Sequence, residues 1–147
     1  MATLGELLGS GDKRARVIDD SLGVLEAEVN DKGGLSGIAI KTAYKVVKGI
    51  SPAFLRQVVD HLLDDFLKAL DPLYQEALAK NVSPRAHLQS NPGRVADSLL
   101  SITDGRARNS KNQLIKGTYE KLRGQAKKHV ESAVPRLGEL FDKNTKA

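Results

Sequence analysis

The sequence contains no cysteine and no tryptophan, and its three tyrosines and three phenylalanines make up only 4% of the residues. Without cysteine the chain cannot form disulfides, thiolate nucleophiles, cysteine-ligated zinc sites or iron–sulfur clusters. The few aromatic side chains offer little surface on which nucleic acid bases could stack. Uninterrupted apolar runs are short, far below the roughly 20 residues that a membrane-spanning helix needs. We therefore expect a cytoplasmic protein.

The N-terminal sequence Met-Ala-Thr-Leu-Gly-Glu has no basic segment before an apolar run, so we expect no signal peptide. The chain has 147 residues, 40% of them hydrophobic, which is enough for one domain with its own core. No internal repeat and no low-complexity linker divides it. We predict a single helical domain over residues 1–147, with an N-terminal segment at 1–12 and a frayed tail at 143–147.

The net charge of +5 is unevenly distributed along the chain. Residues 1–84 carry 10 basic and 12 acidic side chains, whereas residues 106–147 carry 11 basic and 4 acidic ones, a net charge of +7. Such asymmetry is typical of a surface that faces anions. It is equally expected where a basic segment pairs with acidic residues of the same fold or of a partner subunit.

Apolar residues recur with the spacing of α-helices through most of the chain. In one example, Ile18, Leu22, Leu25 and Val29 follow one another at spacings of four, three and four residues. No segment alternates with period two for long enough to indicate a strand. The pattern predicts an all-α fold, a single-domain bundle of about six or seven helices. After a short apolar segment at 3–8, the predicted helices span residues 13–30, 36–49, 51–70, 72–80, 84–88, 92–105 and 112–142.

Four prolines follow a residue whose side chain can cap a helix, namely Pro52, Pro72, Pro84 and Pro92. A serine, aspartate or asparagine before such a proline indicates a helix start. At Pro72 we expect either a new helix or a kink. Pro135 lies inside the last apolar stripe, so we expect it to kink that helix or split it in two.

The segment 51–70 has the widest apolar arc and is predicted to be the central, most buried helix. The residues that we expect to point inward come from all the predicted helices with strong periodicity. They include Ile18, Leu22, Leu25, Val47, Leu55, Val59, Leu62, Leu63, Phe66, Leu99, Ile102, Leu122, Val130 and Leu137.

The chain offers no constellation that we interpret as catalytic, metal-binding or cofactor-binding. His61 lies within one helical turn of Asp64 and Asp65, but the two Glu-x-x-His motifs of a carboxylate-bridged di-metal bundle are missing. Asp60 and Asp64 are more simply interpreted as a solvated stripe than as a pair of acid–base catalysts. We therefore predict no enzyme activity, no metal and no cofactor.

The basic C-terminal third contains the candidate binding residues. Lys116, Arg123 and Lys127 share one strip of the last predicted helix, and Lys121 and Lys128 share another. Facing outward, these side chains could bind the phosphates of nucleic acid or of anionic lipid. The alternative is that they only solubilise the helix or pair with the acidic N-terminal part.

Two further patterns have simple explanations. Lys41, Lys45 and Lys48 lie opposite the apolar face of the segment 36–49, which we interpret as its solvent face. Gly117 and Gly124 lie outside the last apolar stripe, as does Gly138, and each costs about 1 kcal/mol in a helix interior. That cost indicates close approach of another backbone, such as a second subunit, or a helix that orders on binding.

Four segments resemble an uncharacterised bacterial family of small all-helical proteins. They are residues 34–44 (GLSGIAIKTAY), the pair Ser51-Pro52, residues 91–100 (NPGRVADSLL) and residues 126–138 (AKKHVESAVPRLG). The resemblance covers nearly the whole chain. It implies a compact helical domain in a bacterial cytoplasm, and it implies no activity.

The leading hypothesis is a non-catalytic interaction or structural protein, either a homo-oligomer or one with another protein as partner. Its basis is the abundance of amphipathic faces beside the lack of catalytic constellations. One alternative is binding to an anionic surface, acidic lipid or nucleic acid, through the basic C-terminal helices. The other is a carrier that holds a hydrophobic small molecule between helices.

Overall fold

Seven α-helices and no strand are found in the computed structural model, which describes residues 3–51 and 53–145 but not the side chains of residues 35 and 36. This confirms the predicted all-α class and the predicted number of helices. The helices are α1 (Leu4–Leu8), α2 (Gly11–Asp31), α3 (Gly34–Lys48), α4 (Phe54–Ala79), α5 (Pro84–Ser90), α6 (Pro92–Arg108) and α7 (Gln113–Thr145).

Short-range capping explains several of the helix starts. The hydroxyl of Ser83 accepts a hydrogen bond from the Ala86 amide at the start of α5, and Thr3 does the same for the Glu6 amide in α1. Pro84 and Pro92 are the first residues of their helices, as predicted. Pro52 lies outside the described residues, and α4 begins two residues after it.

Two prolines expected to interrupt helices lie inside continuous ones, Pro72 in α4 and Pro135 in α7. Of the alternatives predicted, a new helix at Pro72 and a split of the last helix at Pro135 are therefore wrong. Each proline removes one backbone hydrogen bond, but buried neighbours such as Leu73 and Val134 hold the helix in place. Asp71 does not cap its own helix, because its carboxylate accepts a hydrogen bond from the Leu4 amide, 2.9 Å away, at the start of α1.

The buried core lies where the second half of α4 and the second half of α7 meet α1, α2, α5 and α6. Leu4 and Leu8 of α1 are completely buried against it, so the N-terminal segment is an integral part of the core. The core cluster contains Leu4, Leu8, Val17, Ile18, Leu63, Leu67, Leu70, Leu73, Tyr74, Leu88, Val95, Val134, Leu140 and Phe141.

The predicted core agrees only in part with this cluster. Ile18 and Leu63 are buried, and four other predicted residues pack against the cluster while partly exposed: Leu22, Val59, Leu99 and Leu137. The remaining predicted core residues are half-buried, namely Leu25, Val47, Leu55, Leu62, Phe66, Ile102, Leu122 and Val130. The buried residues of α4 thus lie at 63–77, whereas the prediction placed the most buried helix at 51–70.

Polar contacts fasten α2 to the second half of α7. Glu28 is 8% exposed, and its carboxylate pairs with Lys32 at 2.9 Å and with Arg136 of α7. Asn144 is buried and donates a hydrogen bond to Asp20 at 2.9 Å. Because of these contacts α7 remains helical to Thr145, beyond residue 143, where we expected a frayed tail.

Two halves of the molecule therefore differ in burial. We call residues 34–48, 54–62, 101–108 and 113–130 the open half, because Gly37 is the only buried residue described in these ranges. The remaining helical residues form the packed half, which contains the core cluster.

Candidate functional site

The predicted basic strip of Lys116, Arg123 and Lys127 faces α6. The guanidinium of Arg123 binds the Asp104 carboxylate through two hydrogen bonds, of 2.7 and 3.1 Å. The Lys127 ammonium lies 3.1 Å from a carboxylate oxygen of Asp97. Two of the three residues of this strip, and two of the five predicted anion-binding residues, are thus held by carboxylates of the same chain.

Lys116 lies beside these pairs on the wall of a surface cavity of about 360 Å³ between α6 and α7. Arg108 and Arg123 are the other cations on that wall, and Asp104 and Glu120 are its acids. The cavity is therefore close to charge balance, and it shows no strong preference for an anion.

A hydrogen-bonded cluster that the sequence reasoning missed lies on the same wall. The Tyr119 hydroxyl is 2.7 Å from the Thr103 hydroxyl and donates to the Asp104 carboxylate. Arg123 and then Tyr119 hold the pKa of Asp104 below its ordinary value, while burial and Asp104 raise the pKa of Tyr119. The cluster keeps Asp104 ionised and fixes α6 against α7. The only signal in the sequence is the four-residue spacing of Tyr119 and Arg123.

Lys121 and Lys128 lie on the other predicted strip, which faces away from α6. Both side chains are exposed, and neither forms an ion pair within the part of the chain that the structure describes. The charge of Lys128 also acts on a neighbour, since the pKa of His129 is lowered first by burial and then by Lys32 and Lys128. The structure therefore separates the two predicted strips into one that is mostly paired and one that is free.

Helix α3 lies alongside the strip that contains Lys121. Lys32, just before α3, donates a hydrogen bond of 3.0 Å to Ser132, and α3 then runs back along the first half of α7. A groove of about 350 Å³ separates the two helices. Its walls are formed by Ala39, Thr42, Ala43, Val46, Leu114, Thr118, Lys121 and Leu122.

Beside this groove, three aliphatic side chains point into solvent. Ile38 is 63% exposed, Leu114 53% and Val46 37%. Lysines of α3 and α7 accompany them, all exposed and all without an ion pair among the described residues. We call this surface the α3/α7 face, and it comprises Ile38, Lys41, Lys45, Val46, Leu114, Lys121 and Lys128.

On the opposite side of α7, a groove of about 470 Å³ opens between the start of α4, the end of α6 and the start of α7. Phe54, Val58, Leu62 and Ile115 supply apolar walls, and Tyr119 lies at its edge towards α6. Arg106 also lines it, but its guanidinium is held by Asp65 at 2.7 Å.

The histidine and aspartates of α4 do not form a metal site. Asp60 and Asp64 both bind Arg14 of α2, at 3.0 and 2.7 Å, and His61 is exposed at the rim of the large groove. Within residues 3–51 and 53–145, no group of three or more histidines and carboxylates could hold a metal ion. The two aspartates are thus ion-pair partners that join α2 to α4.

Fold and surface together define a small single-domain helical bundle with an apolar, lysine-rich face and two flanking grooves. None of the described helices combines the length and apolarity needed to cross a bilayer. Over residues 4–145 the chain matches the family of unknown function DUF6918, and it therefore belongs to that family. No curated protein and no solved structure matches it.

Proposed function

We propose that this chain is a non-catalytic interaction protein and that the α3/α7 face is its binding surface. The observation that carries the proposal is the grouping of Ile38, Val46 and Leu114, three exposed aliphatic side chains on two adjacent helices. Single exposed apolar residues are ordinary on any surface, whereas a contiguous apolar patch is typical of a binding site.

The electrostatics of the polar clusters support a non-catalytic role. Asp104 and Glu76 are carboxylates whose pKa is lowered, in both cases first by an arginine, Arg123 or Arg94. A carboxylate whose pKa is lowered in this way is ionised near neutral pH and is a weak general base, so neither group suits acid–base catalysis. We also propose that the protein is located in a bacterial cytoplasm, which agrees with the lack of cysteine and with the family resemblance.

Site-specific photo-crosslinking in the native cell tests the proposal. A benzophenone amino acid replaces Leu114 in one variant and Val82 in a control. Val82 is matched because it is also aliphatic and 43% exposed but lies between α4 and α5, away from the α3/α7 face. We expect one adduct, identified by mass, at position 114 and none at position 82.

The proposal is supported whether the adduct at position 114 contains a second copy of the chain, another protein or a lipid. Light scattering of the purified chain separates the first of these, since a homo-oligomer would be visible without any other component. Absence of any adduct at 114, or the same adducts at 82, would contradict the proposal.

A second candidate function, carriage of a hydrophobic small molecule, is favoured by the groove between α4, α6 and α7. Its volume of about 470 Å³ lies in the range of known ligand pockets, and apolar side chains form much of its wall. Mass spectrometry of an organic extract of the purified protein tests this candidate. We expect a co-purifying molecule that is lost when Ile115→Arg fills the groove, with Leu114→Arg as the control.

A further inference from the structure

We propose that the occupant of the α3/α7 face is the surface of an anionic lipid bilayer, on which the protein docks peripherally. This inference rests on the proposed function, because it names the partner of the same face. It goes beyond that proposal by assigning a lipid head group to the lysines and the acyl boundary to the aliphatic side chains.

The arrangement of the face fits a bilayer surface. Ile38 and Val46 lie two helical turns apart on α3, and Leu114 lies across the groove on α7. Helices that lie in a membrane interface place such aliphatic side chains about 5–10 Å into the head-group region, with lysines around them. Two helices side by side present a wider apolar patch than one alone.

The charges of the face are free to bind phosphate. Most arginines of the chain are held in ion pairs with its own carboxylates. By contrast Lys41, Lys45, Lys121 and Lys128 have no such partner in the described residues, although α6 carries carboxylates that hold Lys127 and Arg123. The cations of this face therefore remain available to phosphate groups of a membrane.

The residue types favour lipid over a protein partner. Interfaces between proteins are enriched in arginine and aromatic residues and depleted in lysine. On the α3/α7 face every cation is a lysine and every exposed apolar residue is aliphatic. The nearby Tyr44 ring is half-buried with the Lys48 ammonium 5.2 Å from its centre, so it adds no free aromatic surface.

The same residue types favour lipid over nucleic acid. Binding to single strands draws on aromatic side chains that stack on bases, and a duplex gains nothing from exposed aliphatic side chains that would remain in water. A bilayer uses both parts of the face, because the lysines bind phosphate while Ile38, Val46 and Leu114 leave water.

Vesicle co-sedimentation of the full chain tests the inference. The probes are vesicles of phosphatidylcholine alone and of equal parts phosphatidylcholine and phosphatidylglycerol, at low and high salt. We expect binding to the anionic vesicles only, weakened by salt because surface charges are screened.

Two pairs of variants locate the bound face. Lys121→Gln with Lys128→Gln removes two cations from it. As a charge-matched control, Lys68→Gln with Lys80→Gln removes two exposed cations elsewhere, one on α4 and one directly after it. Since one lysine near an anionic surface changes the partition coefficient about fivefold, the first pair should lower binding by roughly twentyfold or more. The second pair should lower it much less. Leu114→Gln should weaken binding several-fold, and Val82→Gln should leave it unchanged.

Several results would overturn the inference. They are no binding to anionic vesicles, equal losses in the two lysine pairs, or binding to a DNA duplex that is tighter than to vesicles at the same phosphate concentration. If the crosslink at position 114 joins a protein and vesicles do not bind, the lipid inference fails while the proposed function stands.

Discussion

The two halves of α7 belong to one uninterrupted helix, but only one of them is covered. Residues 131–145 contain all of its buried positions, namely Val134, Gly138, Leu140, Phe141 and Asn144. Residues 113–130 contain none, although Ile115, Leu122 and Val130 continue the same apolar stripe. The amphipathic pattern therefore shows which face of a helix is apolar, but it does not show how completely its neighbours cover that face.

The charges of the two halves differ in the same way. In the second half, Arg136 and Lys143 pair with carboxylates of α2. In the first half, Arg123 and Lys127 pair with carboxylates of α6. Lys121 and Lys128, on the side away from α6, have no ion-pair partner in the described chain. In the molecule as a whole, the contacts that stabilise the fold are thus concentrated in the packed half. Unpaired lysines and exposed apolar side chains are concentrated in the open half.

The largest difference between the halves is expected for truncation of an apolar side chain. Leu67→Ala in the packed half removes a side chain that is 1% exposed, and it should lower the free energy of unfolding by about 2–5 kcal/mol. Leu114→Ala, at 53% exposure, should lower it by less than about 0.5 kcal/mol. Urea unfolding measures the free energy of unfolding of both variants. Similar losses would contradict this expectation, because they would mean that Leu114 is well packed in solution.

The sequence predicted what is determined locally. The helical class, the starts of α5 and α6 and the existence of two lysine strips on α7 all follow from spacing and from caps next to prolines. Of the two alternatives predicted at Pro72, a new helix does not form, and Asp71 caps α1 instead, a contact between residues 67 positions apart. Local rules contain no information about such a partner.

The candidate site could be predicted only in outline. The spacing separated Lys121 and Lys128 from Lys116, Arg123 and Lys127, but it could not show which strip faces α6. That depends on the antiparallel alignment of α6 and α7, which brings Asp97 to Lys127 and Asp104 to Arg123. The exposure of Ile38 and Leu114 also depends on which helices flank α3 and α7.

The next largest effect concerns the glycines of α7. At Gly138 an added Cβ would lie 3.0 Å from the Gln89 side chain and 3.3 Å from the Arg85 carbonyl oxygen, whereas at Gly124 it would meet nothing within 4 Å. Gly138→Leu should therefore destabilise the fold by about 1–3 kcal/mol. Gly124→Leu should stabilise it by about 0.5–1 kcal/mol, through helix propensity alone. The expectation that these glycines permit close approach of another backbone thus holds for Gly138, with α5 as the neighbour.

Thermal unfolding of the two leucine variants checks this difference in sign. A stabilised Gly138→Leu would mean that α5 and α7 separate easily. A strongly destabilised Gly124→Leu would mean that the open half packs against a second copy of the chain, which light scattering of the native protein would then detect.

A smaller effect is expected for the carboxylates that hold α7. Glu28 and Lys32 form an ion pair in which both side chains are nearly buried, 10% and 13% exposed. Glu28→Gln should lower the free energy of unfolding by about 1–2 kcal/mol, because it leaves a buried cation with a weaker partner. Asp97→Asn, which breaks the exposed pair with Lys127, should cost less than about 1 kcal/mol. If urea unfolding shows equal losses of unfolding free energy for Glu28→Gln and Asp97→Asn, the expected electrostatic difference between the halves is contradicted.

The smallest effect is a pH dependence in the packed half. Arg94, and after it His87, lowers the pKa of Glu76 from 4.5 to about 2. Because the folded state holds this carboxylate ionised, its contribution to stability is complete above about pH 4.5 and is lost as the pH falls towards 2. The stability difference between the native chain and Glu76→Gln should therefore shrink as the pH falls below about 4.5.

Urea unfolding at several pH values between 7 and 3 measures this dependence, and Arg94→Gln provides its control. In the Arg94→Gln background the pKa of Glu76 loses its main cause of lowering, so the further change Glu76→Gln should have a weaker pH dependence. If that dependence were as strong without Arg94 as with it, the ion pair between α4 and α6 would not be its source.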